Sequence, residues 1–219
     1  MGIALNDWYL GFKRRLSPPA FPAQQVRRPG AQPVVFLPGI WERWTASWLW
    51  ARSFYKAGYD VHFVPELDLE LGSMEDLSDL LLEWIGANLT QPPIIVGHSK
   101  GGLVAKSALV KRESALRGIV ACGTPFEGSP MASIAPLSMR VRNLRPESAE
   151  IQQLAAHTQE NAKVILIEAR WDQNVPHIGR LPGGAALEAP VDGHNQMLED
   201  PETARLVTEA VIWIDKNWP

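Results

Sequence analysis

The stretch Pro92-Pro93-Ile94-Ile95-Val96-Gly97-His98-Ser99-Lys100-Gly101-Gly102-Leu103-Val104-Ala105 limits what this chain can fold into more than any other part of it. The β-favouring residues Ile94, Ile95 and Val96 run into Gly-x-Ser-x-Gly, and Leu103, Val104, Ala108 and Leu109 follow at helical spacing. A strand that turns into a helix at a single residue strains the backbone there and lifts that side chain clear of the carboxyl edge of a sheet. Gly97 and Gly101 allow the turn, because a Cβ at either would collide with a neighbouring strand or helix. Ser99 then reads as a nucleophile, with the positive end and free N–H groups of the following helix beside it. The plainer alternative is a glycine-rich turn whose serine only caps a helix; the strand before it and the helix after it favour the first reading.

This setting resembles the α/β-hydrolase family, particularly its small lipases and esterases, and the resemblance covers roughly residues 33 to 218. Gln32-Pro33-Val34-Val35-Phe36-Leu37 reads as a short buried strand opening into Pro38-Gly39-Ile40-Trp41, which is similar to the family's oxyanion loop. The resemblance makes the backbone N–H groups of Ile40 and Lys100 the oxyanion donors. The family more often carries His-Gly where this chain has Pro38-Gly39, a departure that leaves the N–H of Ile40 in place. Farther on, Gly118 to Ser129 is a strand leaving into Thr124-Pro125-Phe126-Glu127-Gly128-Ser129, similar to the Thr-Pro-x-x-Gly-Ser passage of lipase-like hydrolases. Trp41, next to the oxyanion loop, and Phe126, in this second loop, are expected to line the substrate pocket.

The remaining partners follow from the same resemblance. Lys163-Val164-Ile165-Leu166-Ile167-Glu168 is a buried strand, and Asp172 lies just beyond it, where the family keeps its acid. A last strand near Ala185 to Ala189 leads to Val191-Asp192-Gly193-His194. The order Ser99, Asp172, His194 is the family's nucleophile-acid-base order. Each residue follows a predicted strand, and such loops of a parallel sheet open on one edge, so groups remote in sequence converge there. Asp192 is too near His194 along the chain for an easy orienting contact, and Glu168 is expected inside its strand. Of the other histidines, His98 is the variable residue of the serine motif, His62 falls mid-strand, and His157 and His177 are expected at the surface.

The architecture expected is one α/β-hydrolase domain over residues 32–219, with about six mostly parallel strands, helices on both faces and a small cap near 130–160. Ser73 to Leu89 reads as a helix with Leu77, Leu81, Trp84 and Ile85 on one face, and Asp200-Pro201 as the start of the last helix. Trp41, Trp44, Trp48 and Tyr55 recur at helical spacing and predict a core-facing stripe. The cap holds only the scattered apolar residues Met131, Ile134, Leu137, Met139 and Val141, so short to medium acyl esters are expected over long-chain emulsified ones. Residues 1–31 form a separate arm, in which Leu5, Trp8, Tyr9, Phe12 and Leu16 predict a short amphipathic helix beside Lys13, Arg14 and Arg15. Packing against the body of the protein is its expected fate, and weak contact with a membrane surface the alternative.

Composition narrows the function classes. A formal net charge of -3 is not that of a general nucleic-acid binder. One cysteine, Cys122, rules out an intramolecular disulfide and a thiolate metal cluster. No His-x-His, His-Glu-x-x-His or glycine-rich phosphate loop occurs, so neither a metal nor another cofactor is expected. No apolar run is long enough for a transmembrane helix, and the N-terminal segment is broken by Lys13, Arg14 and Arg15, which makes the cytoplasm the default location. The activity these readings predict is hydrolysis of a small-molecule carboxylic ester through an acyl-enzyme on Ser99. The alternatives are a thioesterase or amidase with the same triad, or a binding protein that kept the fold without the chemistry.

Overall fold

Strands that are near-continuous apolar runs demand cover on both faces of a sheet, and the central strands here are buried along their whole length. The computed structural model describes residues 2–16, 23–68, 72–134, 139–175 and 181–218, the side chains at 13–16, 134, 139 and 140 excepted. Leu137 and His177 lie outside the described residues, and the side chains of Lys13, Arg14, Arg15, Leu16, Ile134 and Met139 outside those described. The strands are β1 (Pro33–Leu37), β2 (Asp60–Phe63), β3 (Ile94–His98), β4 (Gly118–Cys122), β5 (Val164–Trp171) and β6 (Ala185–Asp192). They form one sheet in the order β2-β1-β3-β4-β5-β6, with every pairing parallel.

The period of two sorts the core. Val34, Phe36, Ile94, Val96, Val120, Cys122, Ile165 and Ile167 share one face with α2 (Trp48–Lys56) and α8 (Pro201–Asn217). Val35, Leu37, Ile95, Ile119, Ala121, Val164 and Leu166 share the other with α3 (Met74–Asn88) and α4 (Lys100–Lys111). Leu77, Leu81 and Ile85 of α3 are buried there and Trp84 packs against them, as their spacing predicts. The helix starts obey local chemistry: Ser73 Oγ accepts the N–H of Asp76, and Asp200 Oδ2 accepts that of Thr203 ahead of Pro201. Three further helices, α5 (Met131–Ile134), α6 (Met139–Arg142) and α7 (Ala149–Ala156), fall between β4 and β5. Among the described residues no helix is long and apolar enough to cross a membrane.

The tryptophan stripe needs correction. A 3-10 turn at Trp44–Ser47 precedes α2, and the residues that α2 buries are Trp50, Ala51 and Phe54. Trp44, Trp48 and Tyr55 pack only partly against that core. Three residues per turn before Trp48 and 3.6 after it shift the phase, so one unbroken helical period sets these rings at the edge of the core instead of inside it.

The strand order also places a crevice. From β1 the chain moves outward to β2, whereas from β3 it moves the other way to β4, so the connections diverge between β1 and β3. At such a switch point the loops beyond the carboxyl ends part and leave a cleft. The loop at Gly39–Trp41 and Ser99 lie on its two sides.

Candidate active site

Ser99 joins β3 to α4 with φ 53 and ψ -121. Among the described residues only Ser99 and Trp41, at φ 58, are non-glycine residues with positive φ, and both line one cavity of about 400 Å³. Each such backbone costs on the order of 1–3 kcal/mol and is held by its surroundings. For Ser99 the hold is an N–H donated to the Cys122 carbonyl at 2.8 Å, with the Gly102 N–H donated to the Ser99 carbonyl at 3.2 Å. A Cβ at Gly97 would come within 2.5 Å of the backbone at Gly101 and Gly102, and one at Gly101 would strike the Leu37 carbonyl. The close packing of strand, elbow and helix therefore needs both glycines.

Asp172 follows β5 and His194 follows β6, and the two meet at 2.6 Å between Oδ2 and Nδ1. Both are buried. The other carboxylate oxygen, Oδ1, accepts the N–H groups of Asn174 at 2.7 Å and Val175 at 2.9 Å. Burial pushes the Asp172 carboxyl up, but His194 and these two donors outweigh it and hold the group below the usual carboxylate range. Burial likewise pushes His194 down, and the negative charge of Asp172, with smaller contributions from Glu42 and Asp7, holds it above the ordinary histidine value. With Nδ1 committed to Asp172, the imidazole has Nε2 left for chemistry, and His194 and Ser99 line the same cavity.

Ile40 and Trp41 are also in the cavity wall. The N–H of Lys100 is among the first four of α4, which an α-helix leaves without internal acceptors. Its side chain goes elsewhere, donating from Nζ to the Gly72 carbonyl at 2.6 Å. Phe126 departs from expectation. It is buried in the core that α4 shares, with the Lys106 ammonium 5.5 Å from its ring centre, and its neighbour Pro125 lines the cavity instead. Adjacent loop residues point to opposite sides, and the apolar ring took the core. The competing acids are engaged elsewhere: Glu168 lies inside β5, and Asp192 pairs with Arg170 at 3.0 Å on the exposed side. His62 meets Asp60 at 2.9 Å, and His157 is half exposed near Glu160.

Glu42 and His98 were not singled out by sequence reasoning. Glu42 Oε2 accepts the Gly39 N–H at 2.8 Å and lies 3.0 Å from His98 Nδ1, while His98 Nε2 lies 3.1 Å from the His194 carbonyl oxygen. This bridge ties the loop after β1, the end of β3 and the loop after β6 to one another. The available signal was a lone acid in the apolar, tryptophan-rich run from Ile40 to Trp50. A buried charge there needs partners.

A fully parallel sheet, a strained serine between strand and helix, and a carboxylate-imidazole pair on the loops after two later strands define the α/β-hydrolase architecture. The sequence model of the alpha/beta hydrolase family matches residues 34–213, and the chain belongs to that family. Its structure is similar to the mature form of the lipase BlEst2 from Bacillus licheniformis (TM-score 0.67, 18% identity, 89% of this chain and 96% of the other). It is also similar to a monoacylglycerol lipase from Paleococcus ferrophilus (TM-score 0.62, 17% identity, 83% and 93%) and to Est1E from Butyrivibrio proteoclasticus (TM-score 0.65, 12% identity, 85% and 89%). At these identities the likeness establishes the fold. Among curated proteins none matches the chain in sequence.

Proposed function

We propose that the protein is a serine hydrolase that cleaves small-molecule carboxylic esters through an acyl-enzyme on Ser99. The observation that carries this reading is the buried pair of Asp172 and His194 at 2.6 Å, whose histidine lines one cavity with a serine held in a strained elbow. His194 Nε2 takes the Ser99 proton as Oγ bonds to the ester carbonyl carbon, and the carbonyl electrons move onto oxygen. The N–H groups of Ile40 and Lys100 stabilise that oxyanion. When the tetrahedral species collapses, the C–O bond to the alcohol breaks and His194 returns the proton to the leaving oxygen. Water then repeats the sequence on the acyl-enzyme and frees the acid. Asp172 fixes the tautomer of His194 and stabilises its imidazolium without itself taking the proton.

The BlEst2 lipase and the monoacylglycerol lipase are named for ester substrates, which supports ester over amide chemistry for a chain of the same fold. Ser99→Ala is expected to remove almost all hydrolysis of aryl esters while the thermal melt stays cooperative, and a serine-directed phosphonate should add once, with the adduct mapping to Ser99. Turnover near wild type in the variant, or an adduct elsewhere, overturns the assignment. A parallel panel of thioesters and amides tests bond preference, with esters expected to be cleaved fastest.

A further inference from the structure

Helix α1 (Gly2–Leu16) lies outside the stretch that the family model matches, and it buries the opposite of what an amphipathic helix usually buries. Ile3, Leu5, Trp8, Tyr9 and Phe12 are between 47% and 61% exposed, whereas Asp7, the only acid in the helix, is 1% exposed. Asp7 Oδ1 accepts the N–H of Gln196 at 2.8 Å, and Oδ2 accepts Nδ2 of Asn195 at 2.9 Å and Nε2 of Gln173. Gln173 adjoins Asp172, and Asn195 adjoins His194. One carboxylate thus clasps both loops that carry the proton-handling pair. A Cβ at Gly193 would fall 2.5 Å from Asp7 Oδ1, so a side chain there would block the approach of the helix.

The next turn of the same helix reaches the cavity. Trp8, Gly11 and Phe12 line it together with Ile40, Trp41, Met131, Val141 and Leu144. Without α1 the cavity would lose two aromatic walls beside Ser99, and the loops on either side of it would lose a shared anchor.

We propose that α1 completes the active site, its Trp8 and Phe12 binding the apolar acyl chain of the ester while Asp7 acts as a positioning residue for the loops that carry Asp172 and His194. The inference rests on the ester-hydrolase reading above. It places acyl specificity partly on a helix that precedes the family's own fold, in addition to the cap segment between β4 and β5. Apolar aromatic rings exposed at a cavity mouth gain from an alkyl chain in proportion to the surface they hide from water, so the gain rises with chain length.

The experiment is a set of kcat/KM values on p-nitrophenyl acetate, butyrate, hexanoate and octanoate for the wild type, Trp8→Ala, Phe12→Ala and Asp7→Asn, with thermal melts for each. In both aromatic variants the octanoate to acetate ratio should fall roughly fivefold, from loss of buried apolar contact. Asp7→Asn keeps the shape and removes a charge, so kcat should fall on every ester and the acid limb of the pH profile should move to lower pH. His194 is faced by the charges of Asp172 after β5, Glu42 after β1 and Asp7 on α1, with the His98 ring at the end of β3 centred 4.7 Å away. Removing one negative charge makes the imidazolium less favourable. An unchanged chain-length ratio in both aromatic variants, or an unchanged limb and kcat in Asp7→Asn, overturns the inference while the ester-hydrolase reading stands. Absence of hydrolysis of any of the four esters by the wild type overturns both.

Discussion

Two buried carboxylate-imidazole pairs stand side by side in this protein, Asp172 with His194 at 2.6 Å and Glu42 with His98 at 3.0 Å, their rings 4.7 Å apart and tilted by 43°. By residue type and burial they are near equivalents. What separates them is where the second ring nitrogen goes. His98 Nε2 rests against the His194 carbonyl oxygen, so both of its nitrogens are held by protein acceptors even though its ring also lines the cavity. Among the described residues His194 commits only Nδ1, and its ring lines the same cavity. A histidine beside an acid can serve as a strut or as a base according to its unspent nitrogen; in the proposed mechanism His194 is the base, and His98 braces it through its backbone carbonyl.

That contrast can be broken or sharpened by substitution. Asp172→Asn should lower kcat by about 10³- to 10⁴-fold with the melt preserved, because the amide favours the wrong imidazole tautomer. A loss of only a few fold would make the two pairs functionally alike and remove Asp172 from the reaction. The pH profile comes next in size. Since His194 is held above its ordinary value near 6.5, it gains its proton at higher pH than a free histidine, and the acid limb of kcat/KM should lie above about pH 6.5. Below that limb the rate should drop about tenfold per pH unit; a rate flat from pH 8 to 5 would falsify a histidine base. Glu42→Gln leaves His194 and Asp172 intact but loosens the bridge to Gly39 and His98, so a loss of roughly tenfold in kcat is expected, through orientation. If it matches Asp172→Asn, the strut is a second proton-handling pair. Asp192→Asn disturbs only an exposed ion pair with Arg170, and should change kcat/KM by less than about twofold.

Much of this site was legible in residues that obey a local rule. Gly97, Ser99 and Gly101 announce the elbow because a sharp turn has few chemical solutions. Asp172 and His194 could be placed because each follows a predicted strand and the carboxyl ends of parallel strands share an edge. Strand ends drifted, as where β5 runs on to Trp171 and delivers Asp172 directly to His194. Illegible were the outcomes of competition between distant groups. Phe126 and Pro125 are neighbours in one loop, and which of them met the cavity depended on the space beside Lys106. Leu5, Trp8, Tyr9 and Phe12 lie on α1, but Asp7 turned inward in their place, through partners 188 and 189 positions away.

That last contact has a consequence for how the molecule comes into being. Asp7 is separated from Asn195 and Gln196 by 188 and 189 positions, so the helix that holds it emerges during synthesis long before its partners exist. At about 5–20 residues per second the wait is on the order of 10–40 s, far longer than hydrophobic collapse takes. Throughout it, the Asp7 carboxylate has none of its acceptor contacts to the loop after β6, and nothing from that loop holds the helix in place. The sheet can assemble strand by strand behind the ribosome, but this contact must wait until β6 and the loop beyond it have been made. Slower synthesis lengthens the interval during which the helix lacks its anchor beyond β6.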